Sequence, residues 1–118
     1  MRDFFQSNRT LSVDFRKASL MRLKDSVCRY QKALEDALKL DLGKSETEAY
    51  MSEIGLVYSA IDFALKNLKS WAKPRRVRMP LAHFWSRGSV VMEPYGVVLI
   101  VSPWNYPVQL LLNPLVGA

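Results

Sequence analysis

The chain has 118 residues, 49% of them hydrophobic and 24% charged, which fits one globular domain and excludes a disordered or fibrous class. One cysteine, Cys28, excludes an internal disulfide and a cysteine metal cluster, and fits a reducing, cytoplasmic setting. The net charge of +6 lies wholly in residues 1–78, where basic and acidic residues interleave; this reads as a solvated helical surface and not as a nucleic-acid face.

Residues 1–11 are a short polar lead, expected to be mobile, with no apolar core of a signal peptide. Ser12 is a natural N-cap, with Asp14 in the first turn where an anion suits the helix dipole. Leu20, Leu23, Val27, Tyr30, Leu34 and Ala37 then recur at steps of three and four, which predicts an amphipathic helix over about 13–40. Gly43 is its stop. Ser45-Glu46-Thr47-Glu48 has the form of a capping box. Tyr50, Ile54, Val57, Ile61, Leu65 and Leu68 make a second apolar stripe, with acids such as Glu53 near its start, lysines near its end and Pro74 beyond it. An antiparallel pair of helices over 12–74 follows from these signals.

A basic connector, Arg75 to Pro80, leads to residues that favour strands. His83–Ser86 and Ser89–Met92, with Arg87-Gly88 between them, predict a hairpin within the unit 75–94. The sole histidine, His83, is read as a strand residue. Val97 to Val101 is a continuous apolar run, as in a strand buried on both faces of a parallel sheet, and is too short to cross a bilayer. The prolines of Ser102-Pro103-Trp104-Asn105-Tyr106-Pro107 make the next segment a loop at the end of that strand, and a helical pattern starts at Val108. The fold class is α/β: a helical hairpin, a β-hairpin, and the strand–loop–helix that opens a Rossmann-like domain over 95–118. Ligands of open α/β sheets bind outside the C-terminal ends of strands, where this loop lies.

Asn105 is the residue in that loop with the most chemical potential. A carboxamide donates hydrogen bonds without titrating, and flanking prolines would fix its position, as an oxyanion hole requires. The other reading of Asn105 is a simple cap on the following helix. Cys28 reads as a small packing residue of the first helix. The Arg75, Arg76 and Arg78 cluster reads as a solvated connector.

The segment from Glu93 through Gly96, Val97–Val101 and Ser102-Pro-Trp-Asn-Tyr-Pro107, continued by Asn113 to Ala118, resembles the aldehyde dehydrogenase family where it enters the cofactor domain. The Asp41-Leu-Gly-Lys44 corner and the helix ending at Trp71-Ala72 are similar to the class 3, dimeric, type. The resemblance implies oxidation of aldehydes to carboxylates with NAD or NADP, through a cysteine thiohemiacetal and thioester. It implies that Asn105 stabilises the oxyanion, that Ser102, Pro103 and Trp104 border the cofactor's nicotinamide end, and that Tyr106 lines the aldehyde tunnel. It implies a homodimer that uses the hairpin, an aldehyde as small-molecule partner, and no nucleic acid, metal or membrane-spanning segment. The family's catalytic cysteine, general-base glutamate and glycine-rich cofactor turn are expected beyond Ala118, so these residues alone are expected to be inactive. Two rivals stand beside this reading: an acyl-thioester reductase on the same scaffold, and a stand-alone basic helical interaction module.

Overall fold

Helix α2 (Val13–Leu42), 30 residues long, is the spine of the molecule in this computed structural model, which describes all residues from Met1 to Ala118. Ser12 starts it as expected, its hydroxyl accepting the Phe15 N–H at 3.3 Å. Gly43 ends it at φ 69°, a left-handed conformation that costs glycine nothing, and its N–H returns to the Lys39 carbonyl at 3.0 Å. The lead before α2 carries helix α1 (Arg2–Gln6) and a 3-10 turn (Arg9–Leu11). Phe4 lies 6.0 Å from Phe15 across this corner, and the Arg9 guanidinium sits over both rings.

The second helical stretch is not one regular helix. Helix α3 (Glu46–Ala49) begins on the Ser45 hydroxyl, which accepts the Glu48 N–H at 3.2 Å. The other half of the expected capping box is missing, because the Glu48 carboxylate makes no bond back to Ser45. A π turn (Tyr50–Ile54) follows, closed by the Gly55 N–H on the Tyr50 carbonyl, and helix α4 (Gly55–Trp71) continues from it. Glycine is required at 55, since a Cβ there would lie 2.9 Å from the Tyr50 carbonyl oxygen. The extra residue in this turn shifts the inward face, so that both Glu53 and Ile54 are fully buried.

The core joins Leu20 and Val27 of α2 to Ile54, Val57, Ile61 and Ala64. The buried seam of α2 drifts from the expected stripe. Tyr30 and Ala37 are exposed, while Glu35 and Leu38 are buried. A strict seven-residue repeat slips about 20° per heptad on a straight helix of 3.6 residues per turn, so the seam moves one residue onward along α2. Gln31 fills the new seam, donating to Glu35 at 2.8 Å and accepting the Tyr58 hydroxyl at 3.0 Å. Cys28, expected to pack inside, is exposed, because Val27 holds the buried seam at that turn and Cys28 lies beside it.

The strand region differs most from expectation. The hairpin pairs β1 (Arg75–Val77) with β2 (Gly88–Val90), antiparallel, with Arg75 opposite Val90 and Val77 opposite Gly88. Gly88 therefore lies in the ladder and not in the turn. A Cβ on it would meet the Val77 methyl at 2.8 Å and the Met79 sulfur at 2.7 Å, so the close approach of the two strands selects glycine. His83 falls in a 3-10 turn (Leu81–His83) between the strands, and its carbonyl accepts from Ser86. Val97 to Val101 forms no ladder, and Leu99 is 88% exposed. Strand geometry needs a neighbour to take its backbone hydrogen bonds, and the only sheet in these residues is the two-stranded hairpin. Helix α5 (Pro107–Gly117) closes the chain, laying Leu112 and Val116 against the core. No helix is long and apolar enough to cross a membrane.

Candidate functional site

The loop before α5 is stiff by construction. Pro103 and Pro107 fix two backbone angles, and the Ser102 hydroxyl lies 3.1 Å from the carbonyls of Pro103 and Pro107, donating to one at a time. The first free amides of α5 need a partner. Pro107 at its first position has no N–H, and Tyr106 at the N-cap gives no side-chain hydrogen bond. That partner comes from across the molecule: Glu53 Oε2 accepts the Val108 N–H at 2.8 Å and the Gln109 N–H at 3.3 Å. An anion at a helix N-terminus is favoured by both the free amides and the helix dipole. The acid that the sequence suggests for the start of its own helix thus serves a different one.

Glu53 is 0% exposed, so its charge needs a counterion. Its Oε1 accepts from Lys44 Nζ at 2.5 Å. The ammonium of Lys44, 8% exposed, spends its remaining capacity on the loop. It donates to the Asn105 carbonyl at 3.1 Å and stands 4.1 Å from the Tyr106 ring centroid. Lys44 is there because the Gly43 turn reverses the chain one residue earlier, and Glu53 because the π turn directs it inward.

Asn105 itself is exposed, and its carboxamide makes no hydrogen bond within the chain. It does not cap α5; that task belongs to Glu53. Its main chain is held while its side chain is free to meet a ligand. Trp104 and Pro103 beside it are exposed, and Tyr106 is half-exposed over a concavity of about 300 Å³ that Ser52, Leu56 and Gln109 also line. The exposed rings of Pro103 and Trp104 suit a flat heteroaromatic group. The Ser102 hydroxyl, turned to carbonyls, is not offered to one. No cradle for phosphates accompanies them, since Gly96 and Gly117 are the only glycines after Gly88. A second concavity of about 470 Å³ lies in the hairpin among Arg76, Arg78 and Arg87, on other elements than Asn105, and carries no polar group of that loop.

Five loop residues were singled out by sequence, and the fold keeps Ser102, Pro103, Trp104, Asn105 and Tyr106 together at the start of α5. Lys44 and Glu53 were missed. A faint signal existed for each: a lysine directly after a helix-ending glycine, and an acid next to the core residue Ile54.

Known proteins resemble this chain in sequence and in fold. The sequence model of the Aldehyde dehydrogenase family matches residues 1–118. The 4,4'-diaponeurosporen-aldehyde dehydrogenase of Staphylococcus aureus is 43% identical over 98% of this chain and 25% of its own length. Aldehyde dehydrogenase family 3 member F1 of Arabidopsis thaliana is 41% identical over 100% of the chain and 24% of its own. A solved structure described as the substrate bound state of Staphylococcus aureus AldH superposes with a TM-score of 0.96 at 41% identity, covering 98% of the chain and 25% of that protein. The chain spans about a quarter of the length of these relatives.

Proposed function

Because this chain belongs to the aldehyde dehydrogenase family, we propose that it supplies the N-terminal portion of an NAD(P)-dependent enzyme that oxidises aldehydes to carboxylates, with Asn105 as an oxyanion donor. The observation that carries this reading is a carboxamide exposed on a loop whose main chain is anchored from a buried ion pair. A fixed, uncharged donor steadies negative charge on a substrate oxygen without reorganising at the moment of reaction. The relatives are aldehyde dehydrogenases, and family 3 members are prominent among them.

In this reading Val97–Val101 becomes a strand of a Rossmann-like sheet in the complete protein. Its present exposure weighs against a free-standing helical interaction module, which would leave an apolar run open to water. The nicotinamide cofactor, when bound, supplies the hydride acceptor. Pro103 and Trp104 would border its ring end, with Ser102 contributing through loop shape. Tyr106 would line the aldehyde path. The hairpin β1–β2 would join a second copy in a homodimer. The catalytic cysteine, the general-base glutamate and the phosphate cradle belong to the remaining three-quarters of such an enzyme, so these 118 residues alone are inactive in this account. The same geometry serves an acyl-thioester reductase, which passes through the same oxyanion in reverse.

Steady-state kinetics of the full-length enzyme carrying Asn105→Ala test the assignment. Turnover falls by about 10²–10³-fold while the cofactor KM holds, the size of loss seen when one oxyanion donor is removed. Unchanged turnover takes Asn105 out of the mechanism.

A further inference from the structure

We propose that Lys44 and Glu53 are positioning residues for Asn105, acting together as a latch that ties the loop to the helical layer; this rests on the catalytic reading of Asn105 just given. Every oxygen of the Glu53 carboxylate is committed, Oε1 to Lys44 at 2.5 Å and Oε2 to the Val108 and Gln109 amides at 2.8 and 3.3 Å. Lys44 passes the restraint on, at 3.1 Å to the Asn105 carbonyl and over the Tyr106 ring. The residues on either side of the carboxamide are therefore pinned: the peptide of Asn105 by the lysine, the first turn of α5 by the glutamate.

Stability alone does not call for this device. A buried ion pair is roughly matched, or exceeded, by well-packed apolar side chains of similar volume. Nor does α5 need it to pack, because Leu112 and Val116 already seat that helix on the core. What an apolar pair does not supply is direction. Hydrogen bonds from one buried centre to both the Asn105 carbonyl and the Val108 amide fix the loop's register and rotation, and with them the main-chain position from which the carboxamide is presented. Lys44 is 61 residues from Asn105 in sequence and Glu53 is 55 from Val108, so the restraint crosses between separate elements. The lysine also fixes Tyr106, and so sets the wall of the concavity next to the donor.

The test uses the full-length enzyme with Lys44→Met/Glu53→Leu, with and without Asn105→Ala, and reads kcat, both KM values and the thermal midpoint. A latch predicts a midpoint lowered no further than loss of the α5 cap accounts for, a kcat lower by about 10–10²-fold, as misplacement of a reacting group by about 1 Å allows, and unchanged KM for cofactor. In the Asn105→Ala background the same pair adds little further loss, because there is no carboxamide left to aim. Glu53→Gln keeps an acceptor for the α5 amides and loses less than Glu53→Leu; it also carries the test if the double swap fails to fold, and must then show the same kcat-only loss that vanishes with Asn105→Ala. Equal losses in the two backgrounds, or full turnover in a folded latch variant, overturn the proposal. If Asn105→Ala itself leaves turnover intact, the catalytic reading fails instead, and the two failures are told apart.

Discussion

Ile61 and Leu99 are both large aliphatic residues in apolar stretches, yet Ile61 is fully buried and Leu99 is 88% exposed. The first belongs to the helical layer, the second to the strand-forming segment before the loop. The difference lies in where each element finds its backbone partners. A helix satisfies its own amides four residues away and needs neighbours only for one face. A strand depends on chains elsewhere for every ladder bond. The helical layer therefore forms a core from residues within 118 positions, whereas Val97–Val101 has no partner among them. The shape agrees: the radius of gyration is 18.8 Å, against roughly 13 Å for a compact domain of this length. The latch joins the two regions, with Lys44 and Glu53 on the self-sufficient side and Asn105 on the dependent one.

Three measurements on the chain sharpen or break that contrast. The largest effect belongs to the joint. Glu53→Ala strands a buried ammonium and frees the α5 amides, and costs about 3–5 kcal/mol in urea unfolding; a negligible loss would mean that the two regions are not coupled through this pair. A smaller effect concerns the helical layer alone. The hydrogen bond from Lys32 holds the Glu46 carboxyl below the usual carboxylate range, and Glu46, then Asp36, hold the Lys32 ammonium above its usual range. A lowered carboxyl contributes stability above its unfolded value and gives it up as pH falls through the folded one; a raised ammonium contributes below its unfolded value and gives it up as pH rises through the folded one. The unfolding midpoint of the chain thus declines below about pH 4.3, more steeply than in Lys32→Met. Both groups are exposed, so added salt erases the difference between the two proteins. The smallest effect is on the dependent side: Leu99→Ser changes stability by less than about 0.5 kcal/mol, as an exposed position should. A large loss there would show that the segment is packed after all.

The same contrast explains what the sequence discloses. Helix starts and stops are local chemistry, so Ser12, Gly43, Ser45 and Pro74 mark the layer within a few residues of its true ends. The loop was legible because two prolines and an asparagine at the end of an apolar run state their roles without reference to distant chain. The hairpin register was not, because the approach of Gly88 to Val77 depends on a partner eleven residues away in no regular pattern. The π turn was hidden inside a stripe that reads as ordinary helix. Glu53 was hidden for a related reason: near the start of its own helix it looks like a dipole-matching acid, and only the fold reveals that the dipole it faces belongs to α5. Cys28 was misplaced because it adjoins the seam residue Val27 without sharing its face.

Residue-resolved hydrogen exchange on the 118-residue chain probes the anchoring of the loop most directly. If a sealed carboxylate on the helical layer holds the first turn of α5, the amides of Val108 and Gln109 exchange as slowly as that of Ile61, while those of Val97 to Val101 exchange fast. Val108 and Gln109 exchanging at the rate of Val97 to Val101 would mean that nothing grips the start of α5, and the origin of Asn105's fixed position would have to be sought elsewhere.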